Sequence, residues 1–191
     1  MNCFLACSLP DASGEYLATY VQSVLSPLTR VQWVSQEKFH ITTEFFGNRD
    51  SKEFSTQVRE LVEPICKAHP PVELLFGNLG TFPHRDNPHA VLYAGIVDTT
   101  SALGELVMEI RDVLGHHGIA GERSSFVPHC TIGRTHHPLG AESAAVWRAA
   151  SVETIGGSSF TIAGLSLMQT VPGNAGSQYV CVAELPFQAQ L

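Results

Sequence analysis

The order of apolar and polar residues in the first half of the chain predicts both strands and helices. A short apolar run is typical of a buried strand, whereas apolar residues three and four positions apart indicate one face of a helix. Runs rich in β-branched and aromatic residues also favour strands. The predicted elements are, in order, a strand at Asn2 to Leu9, a helix from Pro10-Asp11 through Leu28, strands at Val31 to Val34 and Phe39 to Phe46, and a helix from Ser51 to Ala68.

The second half continues this alternation and adds hairpins. The range 81–89 is rich in proline, asparagine and histidine, so we expect a long polar loop there between two strands. Residues 172–177 contain two glycines and predict the turn of a second hairpin, and Thr99 or Thr100 can cap a helix. Because hairpins join antiparallel strands, the pattern favours an α+β fold over a parallel doubly wound sheet. The predicted elements are strands at Val72 to Leu79 and Ala90 to Val97, a helix to about Leu114, a strand at His129 to Arg134, a helix at Ala141 to Ala150, and strands at Phe160 to Thr170 and Gln178 to Leu185.

Length and charge limit the class of protein. The chain has 191 residues, of which 44% are hydrophobic and 15% are charged. This length favours one domain, residues 1–191, that can bury a core without support from metal or disulfides. The formal net charge of −7 does not suit a protein that follows nucleic acid by neutralising many phosphates. A few local groups are therefore expected to hold any phosphate ligand.

Cysteine usage and the N-terminal segment indicate a compartment. The five cysteines are an odd number without C-x-x-C spacing, which favours neither a disulfide framework nor a thiolate zinc site. The opening segment MNCFLACSLP has no basic region, and the apolar runs are too short to span a membrane. We therefore expect a cytoplasmic protein with no membrane partner.

A histidine and a threonine two residues apart occur twice on predicted strands, as His40-Ile41-Thr42 and His129-Cys130-Thr131. Residues two apart in a strand share a face, so each histidine lies beside its threonine while the middle residue points away. The repeated combination of a helix and such a strand suggests two related halves that face one site.

Two such pairs suit phosphoryl chemistry. An imidazole with an ordinary pKa of about 6.5 gives or takes a proton near neutrality, and a threonine hydroxyl donates a hydrogen bond to a phosphate oxygen. Two facing pairs would supply a general acid, a general base and two oxygen donors. Opening of a cyclic phosphodiester by water needs these groups, because one oxygen must be protonated while water is activated.

The stretches HITT and HCTI resemble the two H-x-T-x motifs of the two-histidine (2H) phosphoesterases. Their flanks are similar to those of the RNA 2′,3′-cyclic phosphodiesterases, first described as 2′-5′ RNA ligases. Two positions depart from the family pattern, Thr43 where an apolar residue is common and Cys130 where an aliphatic one is usual. The stretches that carry the resemblance are FLACSLP, VQWVSQEKFHITTEFFG, LGTFP, AVLYAGI, FVPHCTIGR and LSLMQTVPGNAGSQYVCVAELPF.

The resemblance implies a bilobal α+β fold in which two pseudo-symmetric lobes of mostly antiparallel sheet flank a central cleft, with helices outside. His40 would be the proton donor to the leaving O3′ and His129 the proton acceptor that activates water, which gives a 2′-phosphate end. Thr42, Thr131 and Arg134 would bind the substrate. The implied enzyme acts on RNA ends or nucleoside cyclic phosphates without metal or cofactor, with reversible 2′-5′ ligation as a further activity, and we expect a monomer.

The sequence leaves several functions open. One alternative is another 2H phosphodiesterase reaction, with 2′-5′ oligoadenylate, an ADP-ribose cyclic phosphate or an RNA 3′ tail as the substrate. The other alternative is a module that binds RNA or a nucleotide without turnover. Substrate choice depends on loops, for which residues 81–89 and 115–125 are the candidates.

Other residues have competing interpretations. Cys130 could be a nucleophile, but neighbouring strand residues point to opposite faces, so it cannot pair with His129. Glu44 lies on the predicted face of His40 and could orient a histidine or be a surface residue. Four histidines could form a metal cluster, although their spacing is not that of a known ligand set: His84, His89, His136 and His137. Three aromatic residues could stack on a base: Trp33, Phe46 and Phe82.

Overall fold

The computed structural model describes residues 2–49, 51–119, 125–173 and 176–188. Within these ranges the chain forms nine strands and four α-helices, with a 3₁₀ turn at Gln36–Lys38. The strands are β1 (Asn2–Ser8), β2 (Gln32–Trp33), β3 (His40–Asn48), β4 (Val72–His84), β5 (Asn87–Val97), β6 (His129–Arg134), β7 (Phe160–Ile162), β8 (Gly164–Gly173) and β9 (Gly176–Pro186). The helices are α1 (Asp11–Val24), α2 (Lys52–Ala68), α3 (Ala102–His116) and α4 (Ala141–Ser151).

The strands form two halves that meet at β3 and β6. Their order is β7-β4-β5-β6-β3-β1-β8-β9 with β2 added against β6, and the neighbouring strands are antiparallel. The junction is narrow, because β3 and β6 are registered at the pair Ile41 and Cys130. The α+β prediction is confirmed, and a cleft opens where the two halves separate.

The helices cover the sheet with apolar faces. In α3 the buried residues Leu103, Leu106, Ile110 and Leu114 recur every three or four positions, which places them on one side of the helix. Helix α2 packs against α3 and against β8 and β9, α3 contacts β3, and α4 packs on β4. The helices and the sheet enclose one core, which leaves the cleft on its edge.

Helix α1 is shorter than its apolar pattern predicts. It ends at Val24, and Leu25 caps it with an N–H bonded to the carbonyl of Val21. Proline at position 27 disfavours helical backbone at residue 26, so the helix stops before it. Leu25 and Leu28 are buried all the same, which explains why their spacing looks helical.

The long loop predicted at residues 81–89 is wrong. Strands β4 and β5 continue as a paired ribbon, with Phe82 opposite Val91 and His84 opposite Asn87, and turn at residues 85–86. Arg85 has a left-handed φ of 52°, which suits a tight hairpin turn. Residues 83–86 at the tip of this ribbon are exposed, which explains why the stretch has the composition of a loop although most of it is in strands.

Two smaller differences have local causes. At the start of helix α3 the Thr100 hydroxyl accepts a hydrogen bond from the N–H of Ala102, and the Asp98 carboxylate, which was not predicted, accepts two more from the N–H groups of Leu103 and Gly104. The strand predicted at residues 160–170 is divided at Ala163, because β7 pairs with β4 whereas β8 pairs with β1 and β9. The last predicted turn and the loop at residues 115–125 lie partly outside the described residues, at 174–175 and 120–124.

Candidate active site

The structure brings all five sequence-predicted site residues to one cleft of about 1,110 Å³. His40 and Thr42 project from β3, and His129 and Thr131 project from the neighbouring β6. The middle residues of both motifs point the other way, and Ile41 and Cys130 are both fully buried. Arg134 lines the same cleft at the end of β6. The face-sharing expected from the two-residue spacing therefore holds in both halves.

The ring of each histidine is held by a hydrogen bond to the backbone just before its strand. The Nδ1 atom of His40 lies 2.7 Å from the carbonyl oxygen of Lys38, and that of His129 lies 2.7 Å from the carbonyl oxygen of Val127. A carbonyl oxygen only accepts hydrogen bonds, so Nδ1 carries the hydrogen in both rings. The Nε2 atom of each ring is therefore left for proton transfer, and the two halves repeat the same arrangement.

Burial lowers the pKa of both histidines. For His40 the loss of solvent is the main cause, the bond to the Lys38 carbonyl opposes it, and the charges of His129 and Arg134 lower the pKa further. For His129 burial is again the main cause, the Val127 carbonyl opposes it and Arg134 lowers the pKa. Both imidazoles are thus neutral more often at pH 7 than an exposed histidine would be.

Aromatic side chains surround both rings, and the sequence analysis identified only one of them as a site candidate. Phe4 and Tyr179 lie with their ring centroids 5.2 and 5.1 Å from that of His40. Phe82 and Tyr93 lie 4.8 and 5.3 Å from His129. The missed residues come from strands far apart in the chain, so only knowledge of strand pairing could have placed them beside the histidines.

The three base-stacking candidates separate into two groups. Trp33 and Phe82 line the cleft. Phe46 is buried and packs against Phe54 with ring centroids 5.4 Å apart, so it belongs to the core. Stacking of a base by Trp33 or Phe82 thus remains geometrically open, and stacking by Phe46 does not.

Glu44 and Cys130 are both buried. Glu44 lines the same cleft, but it is buried, so the surface alternative is wrong, and its carboxylate forms an ion pair with Arg111 of α3 rather than with a histidine. Burial raises the pKa of the Cys130 thiol to about 12, which keeps it protonated at neutral pH. The Cys130 thiol therefore supplies no nucleophile to the cleft.

Among the described residues no group of three or more histidine, cysteine, aspartate or glutamate side chains could hold a metal ion, so the candidate cluster of four histidines does not assemble. Across the same ranges, none of the helices has the length and apolar character needed to cross a lipid bilayer.

Comparison with known proteins gives consistent similarities. The sequence profile of the 2′-5′ RNA ligase superfamily matches residues 10–174, a range that includes both histidine motifs. A Thermotoga maritima protein named RNA 2′,3′-cyclic phosphodiesterase is 29% identical over 140 residues, which are 72% of this chain and 71% of that protein. A Geobacillus stearothermophilus protein of the same name is 27% identical over 131 residues, 69% of this chain and 41% of that protein. The crystal structure of E. coli LigT complexed with 3′-AMP has a TM-score of 0.78 at 18% identity, with 97% of each chain covered.

Proposed function

The chain belongs to the 2′-5′ RNA ligase superfamily, and we propose that it is a metal-independent RNA 2′,3′-cyclic phosphodiesterase that leaves a 2′-phosphate. The observation that carries the proposal is the pair of histidines on β3 and β6, each held through Nδ1 to a backbone carbonyl, with two threonines on the same face. The names of the Thermotoga and Geobacillus relatives support this reaction class.

In the proposed reaction, His129 Nε2 takes a proton from a water molecule as the water oxygen attacks phosphorus. The bond between phosphorus and O3′ breaks, and protonated His40 gives its Nε2 proton to O3′. The product carries a free 3′-hydroxyl and a phosphate on O2′, and the two histidines exchange protons with solvent before the next turnover. The two rings lie on antiparallel neighbouring strands, which suits attack and departure on opposite sides of phosphorus.

Three further residues would stabilise the phosphate. The hydroxyls of Thr42 and Thr131 share the cleft face of the histidines, where they can donate hydrogen bonds to the non-bridging oxygens. Arg134 adds a fixed positive charge, which counters the negative charge that grows on phosphorus oxygens in the transition state. The groups on this face therefore provide acid, base and charge without a metal ion.

The test is hydrolysis of a short RNA that ends in a 2′,3′-cyclic phosphate, in buffer with EDTA. We expect multiple turnovers and a 2′-phosphate product, identified by phosphorus NMR and by resistance to a 3′-specific phosphatase. Binding of the RNA without hydrolysis would identify a binding module instead. Loss of activity with EDTA and its return with a divalent ion would contradict metal independence, and a 3′-phosphate product would reverse the assignment of His40 to O3′.

A further inference from the structure

Each histidine of the cleft contacts two aromatic rings that also contact each other. Phe4 of β1 and Tyr179 of β9 flank His40, and their own centroids lie 5.3 Å apart with the rings edge to face. Phe82 of β4 and Tyr93 of β5 flank His129, and these two rings stack at 4.5 Å. Each half therefore places two aromatic rings in mutual contact beside its histidine, although the rings meet edge to face in one half and are stacked in the other.

The backbone next to Tyr93 is shaped to accommodate its ring. Gly80 is paired with Tyr93 across β4 and β5. A Cβ atom at position 80 would lie 2.3 Å from Cζ of Tyr93, far inside van der Waals contact. The tyrosine ring therefore lies directly over the glycine, and any side chain at position 80 would displace it from His129.

We propose that Tyr179 and Tyr93 are positioning residues, each of which holds one histidine ring in its working orientation and shields it from water. This inference rests on the proposed function. The covalent bond to Cβ and the hydrogen bond at Nδ1 hold one edge of each imidazole, so the opposite edge, with Nε2, can still tilt. Aromatic contacts on its other sides remove this freedom, and the orientation of a proton-transfer group strongly affects rate.

The proposal has a consequence for proton affinity. Burial is the main cause that lowers the pKa of both histidines, so removal of one tyrosine ring should admit water and raise the pKa of the neighbouring histidine. Arg134 on β6 acts on both rings, and His129 acts on His40. The other charged residues that line the cleft are Glu37, Lys38, Glu44 and Arg111. None of these changes in a tyrosine variant.

The experiment compares Tyr179→Ala, Tyr93→Ala and Gly80→Ala with Tyr179→Phe and Tyr93→Phe, and uses Tyr20→Ala of α1 as a control outside the cleft. Histidine pKa values are measured in the resting protein by NMR titration, which needs no activity, and kcat and KM are measured with the cyclic-phosphate RNA. The Gly80 variant displaces Tyr93 without removing it, so it provides a second test if Tyr93→Ala folds poorly.

We expect Tyr179→Ala to raise the pKa of His40 more than that of His129, and Tyr93→Ala and Gly80→Ala to do the reverse. In all three, kcat should fall about three- to tenfold with little change in KM, the range that loss of one aromatic contact gives. The phenylalanine variants keep the ring and should restore the pKa values and kcat.

Unchanged histidine titrations in folded alanine variants would overturn the proposal. A rise in KM at constant kcat would also overturn it, because the tyrosines would then bind substrate. If the wild-type protein does not hydrolyse the RNA, the proposed function fails, while the NMR titrations still decide whether the tyrosines shield the histidines.

Discussion

The two cleft histidines share one local arrangement, a hydrogen bond from Nδ1 to the carbonyl oxygen two residues earlier. Because this bond fixes the tautomer, both neutral rings present an unprotonated Nε2 to the cleft. Either ring could therefore act as base, and the difference between the proposed acid and base must come from the bound substrate and the surrounding charges. Arg134 is one such charge, since it lowers the pKa of both histidines.

Replacement of Arg134 by glutamine should have two effects. Removal of its positive charge raises the pKa of both histidines, so both limbs of the kcat/KM profile move to higher pH. Loss of a charged phosphate contact should also lower kcat by roughly 10²-fold. Arg148→Gln on α4 is the matched control, and an unshifted profile in Arg134→Gln would contradict the proposed position of this charge.

The two threonines should affect activity rather than folding. Thr42→Val and Thr131→Val keep the shape but remove a hydroxyl donor, which should cost about 1–3 kcal/mol of transition-state binding. Thr43→Val is the contrast, because the Thr43 hydroxyl donates to the buried Leu5 carbonyl at 3.1 Å. That variant should lose about 1 kcal/mol of unfolding free energy and keep its kcat/KM. Equal kcat/KM in wild type and both cleft variants would refute phosphate binding by these threonines.

At the scale of elements, the sequence predicts best where one local signal decides the structure. Apolar periodicity and the following prolines place α2 within one residue, and two-residue alternation assigns the shared face of His40 and Thr42 correctly. The β4–β5 ribbon and the aromatic neighbours of the histidines depend on pairing between distant strands. The composition of one polar stretch contains no information about which distant strand pairs with it, and residues 81–89 were therefore predicted to be a loop.

The buried side chain of Asn87 adds an anchor for the β4–β5 ribbon to the backbone pairing between β5 and β6. The amide of Asn87 donates to the carbonyl oxygen and the hydroxyl of Thr135, at 3.1 and 2.9 Å, and thereby ties the ribbon to the end of β6. Asn87→Ala leaves these acceptors unpaired and should lower the unfolding free energy by about 1–3 kcal/mol in urea titration.

Asn78→Ala provides the comparison for this anchor. The Asn78 amide also bonds two carbonyls, those of Ser151 and Val152, but at an exposed site where water can replace it. We expect this variant to lose less stability than Asn87→Ala. The reverse order would show that the ribbon is held by other contacts.

At the scale of the whole molecule, two antiparallel halves meet at a narrow junction and set two equivalent histidines against one cleft. Under the proposed function, this layout would give a chain of net charge −7 a site for one phosphate without a broad basic surface. In the proposed function each half supplies an imidazole, and the imidazole of one half gives a proton while that of the other half takes one.

The pH dependence of kcat/KM follows from this layout. In the proposed reaction His40 is protonated and His129 neutral, so the profile should be bell-shaped, with two apparent pKa values that belong to the coupled pair. Since burial lowers the pKa of both, kcat/KM should already fall as pH rises above about 6.5. A profile that rises continuously between pH 6.5 and 8 would show that His40 does not act as the acid.

The most direct test of the account is turnover of the cyclic-phosphate RNA by His40→Ala and His129→Ala, measured beside His116→Ala, which changes an exposed histidine at the end of α3. Each cleft variant removes one proton-transfer partner, so its kcat should fall by about 10²–10⁴-fold while its fold and unfolding transition stay as in wild type. The His116 variant should keep wild-type turnover. Near-wild-type kcat in either folded cleft variant would contradict catalysis by the histidine pair.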